Sequence, residues 1–509
     1  MKRGRPRSPD NYVHAWPSYL WEDVSRPDNA AWRSRLRAIL ERGLVVATDF
    51  SGLDGPRWSL DVACSARGAP LPLDSHAVRF VRASDSVARP QQDFLIRASN
   101  RCENGSACVF GPIEDRLSPM ASDMITSLEP AADGPASDRA AAYEYMHDWL
   151  FRNLDLAYPR GRKVPCHQHG MCVASVREAL EMDARPDVGR WNEELGGVDG
   201  TRRFLVVNMA STVCKGWSMA NRNHVGGAHE SERSHAVWIS ERAALATRGL
   251  EDLFVHECAP TYPVASAMTR RLAETHEVVS IVCCPTQRGL PVRRKRRFSA
   301  GLSRASLVYV GAPDVQKSFR EFISRAQVAP PSMFMVSDEA ELREAASACA
   351  ASRLCFFSDA TKSSMPLSDL WQLAFTVGER SRFRGWMEVC KHGDADEFFD
   401  LKNNPDRYAS TALLPTMLTK SMVCSRARGG PLGIPELAGA MGFPPSLDMF
   451  WDLFARLSPP HQMQMLGNSI QLEMYALWVM FVLGNTAPRE GLRLEALPAY
   501  DSASDNEWE

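Results

Sequence analysis

Three things are scarce in this 509-residue chain: net charge, long apolar runs and any ordered spacing of cysteine. Lys and Arg number 59 against 61 Asp and Glu, for a formal net charge of -2, so overall charge names no partner. No apolar run approaches the ~18 residues that a membrane-spanning helix needs, which predicts a soluble protein. No signal peptide opens the chain, and the 13 cysteines show no framework spacing. Together these predict free thiols in a reducing compartment. What is present is ordinary globular composition, 45% hydrophobic and 24% charged. That is ample material for a sizeable core, in roughly two to four domains.

Charge is uneven along the chain. The first residues, Lys2-Arg3-Gly4-Arg5-Pro6-Arg7, look like an AT-hook, in which an extended Arg-Gly-Arg-Pro core lies in a narrow A·T-rich minor groove. Arg3, Arg5 and Arg7 are then DNA contacts; a nuclear-import signal or simple solubilising charge is the plainer reading. The tail, 490–509, is acidic and expected to be disordered.

Helix and strand patterns alternate after the tail. Asn29 to Gly43 carries Trp32, Leu36, Ile39 and Leu40 on one face and predicts a helix. The apolar strand 44–48 then runs into Phe50-Ser51-Gly52-Leu53-Asp54-Gly55. A strand, a tight glycine turn and a helix start make a cofactor-binding turn in doubly wound folds. A second strand, 77–82, is followed by Asp85. An acid there bonds a ribose hydroxyl, or else caps a helix. A third strand, 108–110, leads to Pro112-Ile113. Residues 120–200 read as an insertion holding one good helix, 137–154. Within it Cys166, His167, His169 and Cys172 have a spacing that could present zinc ligands, but no second pair follows closely. The reading taken is a loop of ordinary Cys and His with no metal site.

The chain is organised around 206–218, VVNMASTVCKGWS, a buried strand that breaks at Cys214. A cysteine at the carboxyl end of a parallel strand lies where open α/β sheets do their chemistry. The next strand, 252–258, delivers Glu257 to the same edge, so a nucleophilic sulfur is matched with a carboxylate. Between them, 215–234 is rich in Gly, Asn, Ser and His and reads as a mobile lid, with His224, His229 and His235 facing solvent. Helices are expected over 230–246 and 264–274, and a strand over 278–282 whose end holds Cys283-Cys284 as core thiols. A basic cluster, 291–298, follows; it reads as a solvated turn or as arginines aimed at phosphates and a bound base.

In this order the stretches resemble the cytosine-C5 DNA methyltransferase family, over most of the chain outside the termini, the 120–200 insertion and a variable domain. Phe50 to Gly55 is similar to the family's Phe-x-Gly-x-Gly-Gly turn, with Thr48 where the family has Asp. Thr212-Val213-Cys214-Lys215 falls on Pro-Pro-Cys-Gln and keeps the cysteine alone. Glu257-Cys258-Ala259 falls on Glu-Asn-Val and keeps the acid. Val292 to Arg296 falls on Gln-x-Arg-x-Arg and keeps Arg294 and Arg296. Gly467-Asn468-Ser469-Ile470 matches the final motif closely. Asp85 lies two residues after the position of the family's ribose-binding Glu, which is Ala83 here, and Pro112-Ile113 falls near the adenine.

The resemblance implies an α/β fold, a doubly wound, mostly parallel Rossmann-like methyltransferase sheet, with a smaller target-recognition domain. It implies S-adenosylmethionine as cofactor, bound by Phe50, Ser51, Gly52, Leu53, Gly55, Asp85, Ile113, Asn468 and Ser469. It implies Cys214 as nucleophile, Glu257 as the acid at the base, Arg296 at its O2 and Arg294 as a brace for the loop. The expected organisation is a basic tail to 28, a catalytic domain over 29–310, target recognition over 311–428, a return to the catalytic domain over 429–486, and an acidic tail from 487. DNA is the expected partner and the nucleus the expected compartment. A relative acting on tRNA, in the cytoplasm, and an inactive DNA-binding relative are the alternatives.

Overall fold

A computed structural model of the chain describes residues 12–24, 29–66, 78–86, 89–100, 107–181, 204–212, 215–218, 225–323, 328–389, 396–406 and 410–489. The expected contacts Arg3, Arg5 and Arg7, the nucleophile Cys214 with its neighbour Val213, His224, and the acidic tail from 490 lie outside the described residues.

Nine strands form one sheet among the described residues: β1 (Leu44–Asp49), β2 (Val78–Ser84), β3 (Cys108–Phe110), β4 (Lys163–Cys166), β5 (Gly170–Val173), β6 (Leu205–Ser211), β7 (Leu253–Cys258), β8 (His276–Cys283) and β9 (Arg296–Ser303). Their spatial order is β5-β4-β3-β2-β1-β6-β7-β9-β8. The pairs β3–β2, β2–β1, β1–β6 and β6–β7 are parallel. β9 is antiparallel to both its neighbours, β7 and β8. This is the doubly wound, mostly parallel, Rossmann-like sheet that the sequence predicts. Winding proceeds outward one way through β2 and β3 and the other way through β6 and β7. The switch point therefore lies between β1 and β6, where ligands enter such sheets.

Sequence explains the layering. β1 and β7 are buried throughout, as expected of parallel strands covered on both faces. Along β7, Leu253 and Val255 join the larger core while Phe254 and Cys258 join a second core on the opposite face, following the two-residue period of a strand. The larger core is built on the helix Leu472–Gly484, every residue of which is buried. Trp478 Nε1 donates to the Ser299 carbonyl on β9 at 3.2 Å. The opposite face is covered by Ser231–Thr247 and Ala136–Arg152. The stretch 459–484 is long and apolar enough by composition to cross a membrane, but 94% of its most apolar window is buried inside the protein. It is two helices, Pro459–Asn468 and Leu472–Gly484.

Several elements differ from expectation. Within 120–200, β4 and β5 extend the main sheet beyond β3, and the helix Ala136–Arg152 packs into the second core. The helix expected over 264–274 is a π-helical turn, Ala265–Thr269, in which the Arg270 amide reaches back five residues to the Ala265 carbonyl at 3.0 Å. His235, expected in solvent, is 3% exposed, because the helix it sits on is covered by Tyr262 and the sheet. Beyond β9, Phe319 packs on Trp478 and Phe481 of the main core, with ring centroids 5.5 and 5.2 Å apart. The helices Glu339–Ala351, Leu367–Ala374 and Val377–Val389, with a three-stranded sheet, surround a separate small core including Leu370, Phe383, Trp386 and Phe399.

Candidate active site

The carboxyl edge of β1 turns sharply. Phe50, Gly52 and Asp54 all adopt positive φ, at 52°, 54° and 56°, a conformation that costs a non-glycine residue about 1 kcal/mol or more. Side-chain hydrogen bonds hold it. The Ser51 hydroxyl reaches the Thr48 and Ser84 carbonyls at 3.2 and 3.1 Å. The Thr48 hydroxyl donates to Asp54 Oδ1 at 2.7 Å, and the Gly52 amide donates to Asp85 Oδ2 at 2.5 Å. Asp85 thus ties the end of β2 to the turn. Burial pushes the Asp54 carboxyl up to about 6, against the pull of Arg57 and the Thr48 hydrogen bond.

The turn divides the predicted cofactor residues. Above Gly52, a Cβ would meet nothing within 4 Å, so the backbone there faces open space. Leu53 is buried and its carbonyl accepts from Trp58 Nε1 at 2.7 Å. At Gly55 a Cβ would lie 2.7 Å from Ile470 Cγ1 and 3.2 Å from Ser469 Oγ. Gly55 is therefore used for close packing of the final motif on the turn. Asn468 is exposed and Ser469 buried. Ile113 is buried in the second core, and Phe50 packs against that same cluster.

Two strands away, about 10 Å at about 4.8 Å per strand, Glu257 stands at the end of β7. Its Oε1 is 2.9 Å from Arg296 Nε, at the first residue of β9. Its Oε2 accepts from the Ser211 hydroxyl at 2.6 Å. The register places Ser211 opposite Glu257. Ser211, the last residue of β6, was not singled out from the sequence; its signal was its position three residues before Cys214. Arg294, two residues before Arg296, packs against the final motif. Its guanidinium is buried and donates to the Met417 carbonyl at 3.1 Å and to the carbonyls of Gly467 and Ser469. It braces the final motif, because the chain turns inward between Arg293 and Arg296.

Beneath the edge lies a dense polar layer that sequence reasoning missed. Asp49 is fully buried among Arg116, Arg82 and Arg242, and accepts from Asn208 Nδ2 at 2.7 Å. Burial alone would raise its carboxyl; the three guanidiniums override that and hold it well below the usual range. The flank of Cys214 is similarly anchored. Thr212 Oγ1 lies 2.6 Å from His256 Nε2, and Trp217 Nε1 donates to Glu232 at 2.8 Å. A Cβ on Gly216 would lie 2.3 Å from the Gly226 carbonyl, so the turns 215–217 and 226–228 are closely packed. The His147 and His235 imidazoles face Glu232 at 3.9 and 3.8 Å. Burial drives them down to about 3 and about 4.

No protein-family model matches the sequence, and no curated protein is similar to it in sequence. Solved methyltransferases resemble its fold. They include the S. pombe Dnmt2 methyltransferase, 12% identical, covering 86% of this chain and 98% of that one with a TM-score of 0.43. The Entamoeba histolytica methyltransferase EhMeth is 11% identical, covering 86% and 98%, with a TM-score of 0.37. A putative DNA modification methyltransferase from an E. coli prophage is 11% identical, covering 86% and 97%, with a TM-score of 0.37. The sheet described above, with one reversed strand between β7 and β8, is the doubly wound, Rossmann-like sheet implied by the sequence motifs.

Proposed function

We propose that this chain is a divergent cytosine-C5 methyltransferase that uses S-adenosylmethionine and acts on DNA. The observation that carries the reading is the Glu257–Arg296 pair, held by Ser211 three residues before Cys214 on the edge that bears the glycine turn.

The open backbone at Gly52, with Asp85 beside it, suits a cofactor lying across the ends of β1 and β2. S-adenosylmethionine, when bound, supplies the methyl group. Phe50, Gly52, Asp85 and Asn468 are the residues proposed to touch it; Ser51, Leu53, Gly55, Ile113 and Ser469 shape the turn around it. Cytosine C5 is too poor a nucleophile to react unaided. The Cys214 thiolate adds to C6 and makes C5 enamine-like; with the cofactor bound, C5 would take its methyl group and leave the thioether, and loss of the C5 proton to a base would then expel the Cys214 sulfur and restore the ring. Glu257, hydrogen-bonding at N3 and the exocyclic amine, stabilises the charge that builds up. Arg296 orients Glu257 and holds O2. The base must leave its stack to reach the sulfur. Arg3, Arg5 and Arg7 are proposed to add minor-groove contact, and residues 311–428 to carry target recognition. The nucleus is the compartment this reading proposes.

Labelled methyl transfer to DNA and to tRNA tests the proposal with wild type, Cys214→Ser and Glu257→Gln. Transfer to DNA that is abolished by Cys214→Ser and falls at least 100-fold in Glu257→Gln, about 3 kcal/mol of barrier, supports it. Transfer confined to tRNA replaces DNA with RNA. Transfer to neither makes the chain an inactive relative, and transfer that survives Cys214→Ser removes the nucleophile.

A further inference from the structure

The edge of the sheet far from β8 carries a second cluster that the proposed reaction does not use. Cys108 opens β3, Cys166 ends β4, His169 sits in the tight turn that follows, and Cys172 lies on β5. The three sulfurs and one ring nitrogen all lie within 4.8 Å of one another. We propose that Cys108, Cys166, His169 and Cys172 bind a zinc ion that staples the β4–β5 hairpin to the sheet.

The geometry is that of a tetrahedron. With Zn–S near 2.3 Å and Zn–N near 2.05 Å, a tetrahedral ion sets its sulfur and nitrogen ligands about 3.6 Å apart. His169 Nδ1 stands 3.8 Å from Cys108 Sγ, 3.6 Å from Cys166 Sγ and 3.5 Å from Cys172 Sγ. His169 Nδ1 offers one lone pair, and the Cys166 sulfur also hydrogen-bonds with Cys108 and backbone amides; a shared cation accounts for all three sulfurs standing at ligand spacing from that one nitrogen. None of the three cysteines is in a disulfide. Three thiolates and an imidazole form a closed donor set that favours zinc and leaves no position for substrate, which makes the site structural.

Folding gives an independent reason for the ion. The core under the hairpin consists of Cys108, Phe110, Val164, Cys166, Cys172 and Ala174. Half of these are the proposed ligands, and the remaining apolar area is small for holding two four-residue edge strands. β4 joins the sheet through a single paired position, Phe110 with Cys166. The backbone is shaped for the turn: Gly170 has φ 79° with nothing near its Cβ position, and the His167 amide bonds the Val109 carbonyl at 2.8 Å. The three sulfurs are buried while His169 is exposed and closes the cluster from outside. The consequence reaches inward, since β3 leads directly to Ile113 and to Arg116, the partner of Asp49.

The test uses the full-length chain purified without chelator under reducing conditions. Elemental analysis is expected to find about one zinc per chain, and cobalt exchanged into the site to show thiolate charge-transfer and tetrahedral ligand-field bands. His169→Ala, at an exposed position, is expected to keep the fold and to release zinc at a chelator concentration at least tenfold lower. Cys172→Ser is expected to abolish stoichiometric zinc. Chelation is expected to lower the melting temperature of the wild type and not of Cys172→Ser. Zinc-free protein with reduced thiols, or with a disulfide among these cysteines, overturns the proposal. So does zinc that persists in Cys172→Ser and is lost in His235→Ala, which would place the ion at the buried His147–Glu232–His235 group instead.

Discussion

Asp54 is a carboxylate kept in the wrong place for its charge, and removing that charge should stabilise the protein. It is 3% exposed, at the centre of the glycine turn, with φ 56°. Burial moves its ionisation from an ordinary 3.8 to about 6. At about 1.4 kcal/mol per pH unit, the ionised form carries a penalty of at most about 3 kcal/mol. The sign follows from proton binding. Between pH 3.8 and 6 the folded chain holds the proton that the unfolded chain has lost, so stability from this group falls as pH rises through that window. Asp54→Asn keeps an oxygen to accept from the Thr48 hydroxyl, and Asn tolerates a left-handed backbone. The variant should be about 1–3 kcal/mol more stable than wild type at pH 7.5, with the difference vanishing near pH 4. Denaturant unfolding at the two pH values measures this. A variant less stable at pH 7.5, or a difference that does not change with pH, refutes the reasoning. A gain would mean that the turn carries a charge its stability does not need, as proteins tolerate at working sites.

Two further outcomes follow from the same structure. Gly55→Ala places a Cβ 2.7 Å from Ile470 Cγ1 and should cost about 1–3 kcal/mol. Combined with Ile470→Ala, which clears that space, it should cost less than the sum of the two single changes, with a coupling of at least about 0.5 kcal/mol; additive effects would mean that the turn and the final motif do not touch. His147 and His235 are held neutral by burial, at about 3 and about 4 against an ordinary 6.5. At these two groups the unfolded chain therefore binds protons first, and their contribution to stability should fall as pH drops below about 6.5, by up to about 1.4 kcal/mol per pH unit for each histidine, while the raised carboxyls of Asp54, Asp61 and Glu251 act in the opposite sense. His147→Gln should flatten the slope of unfolding free energy between pH 7 and 5, and an unchanged slope would disprove the assignment.

Much of the frame was legible in the order of residues. The strands β1, β3, β6 and β7, the glycine turn, and the position of Glu257 at the sheet's edge are all local patterns, whereas Arg296 beside Glu257 is implied only by the family resemblance. A strand's period, a run of small residues and the residue after a strand can be read without knowing what lies beside them. The inference that 29–43 is helical needed only Trp32, Leu36, Ile39 and Leu40 on one face and Gly43 at its end, and the helix is Ala30–Arg42.

What the chain order could not show is which distant side chains meet. Arg294 and Arg296 differ by two residues, yet one is buried against Met417 and Ser469 while the other meets Glu257; a strand beginning at Arg296 decides that. His235 reads as a loop histidine until the layer above it is in place. The stretch from Cys166 to Cys172 reads as an ordinary loop because no second pair follows it closely; the further sulfur that joins the cluster, Cys108, stands on β3, 58 residues before Cys166. The alternation of strands and helices and the residue types at the sheet's edge are written in the order of residues, since short-range sterics and hydrophobic period act within a few residues. Tertiary structure alone decided the buried arginine layer under Asp49, the partners of each arginine, and the convergence of Cys108 on the hairpin, since charge pairing and metal geometry depend on distances in space that the chain's order does not encode.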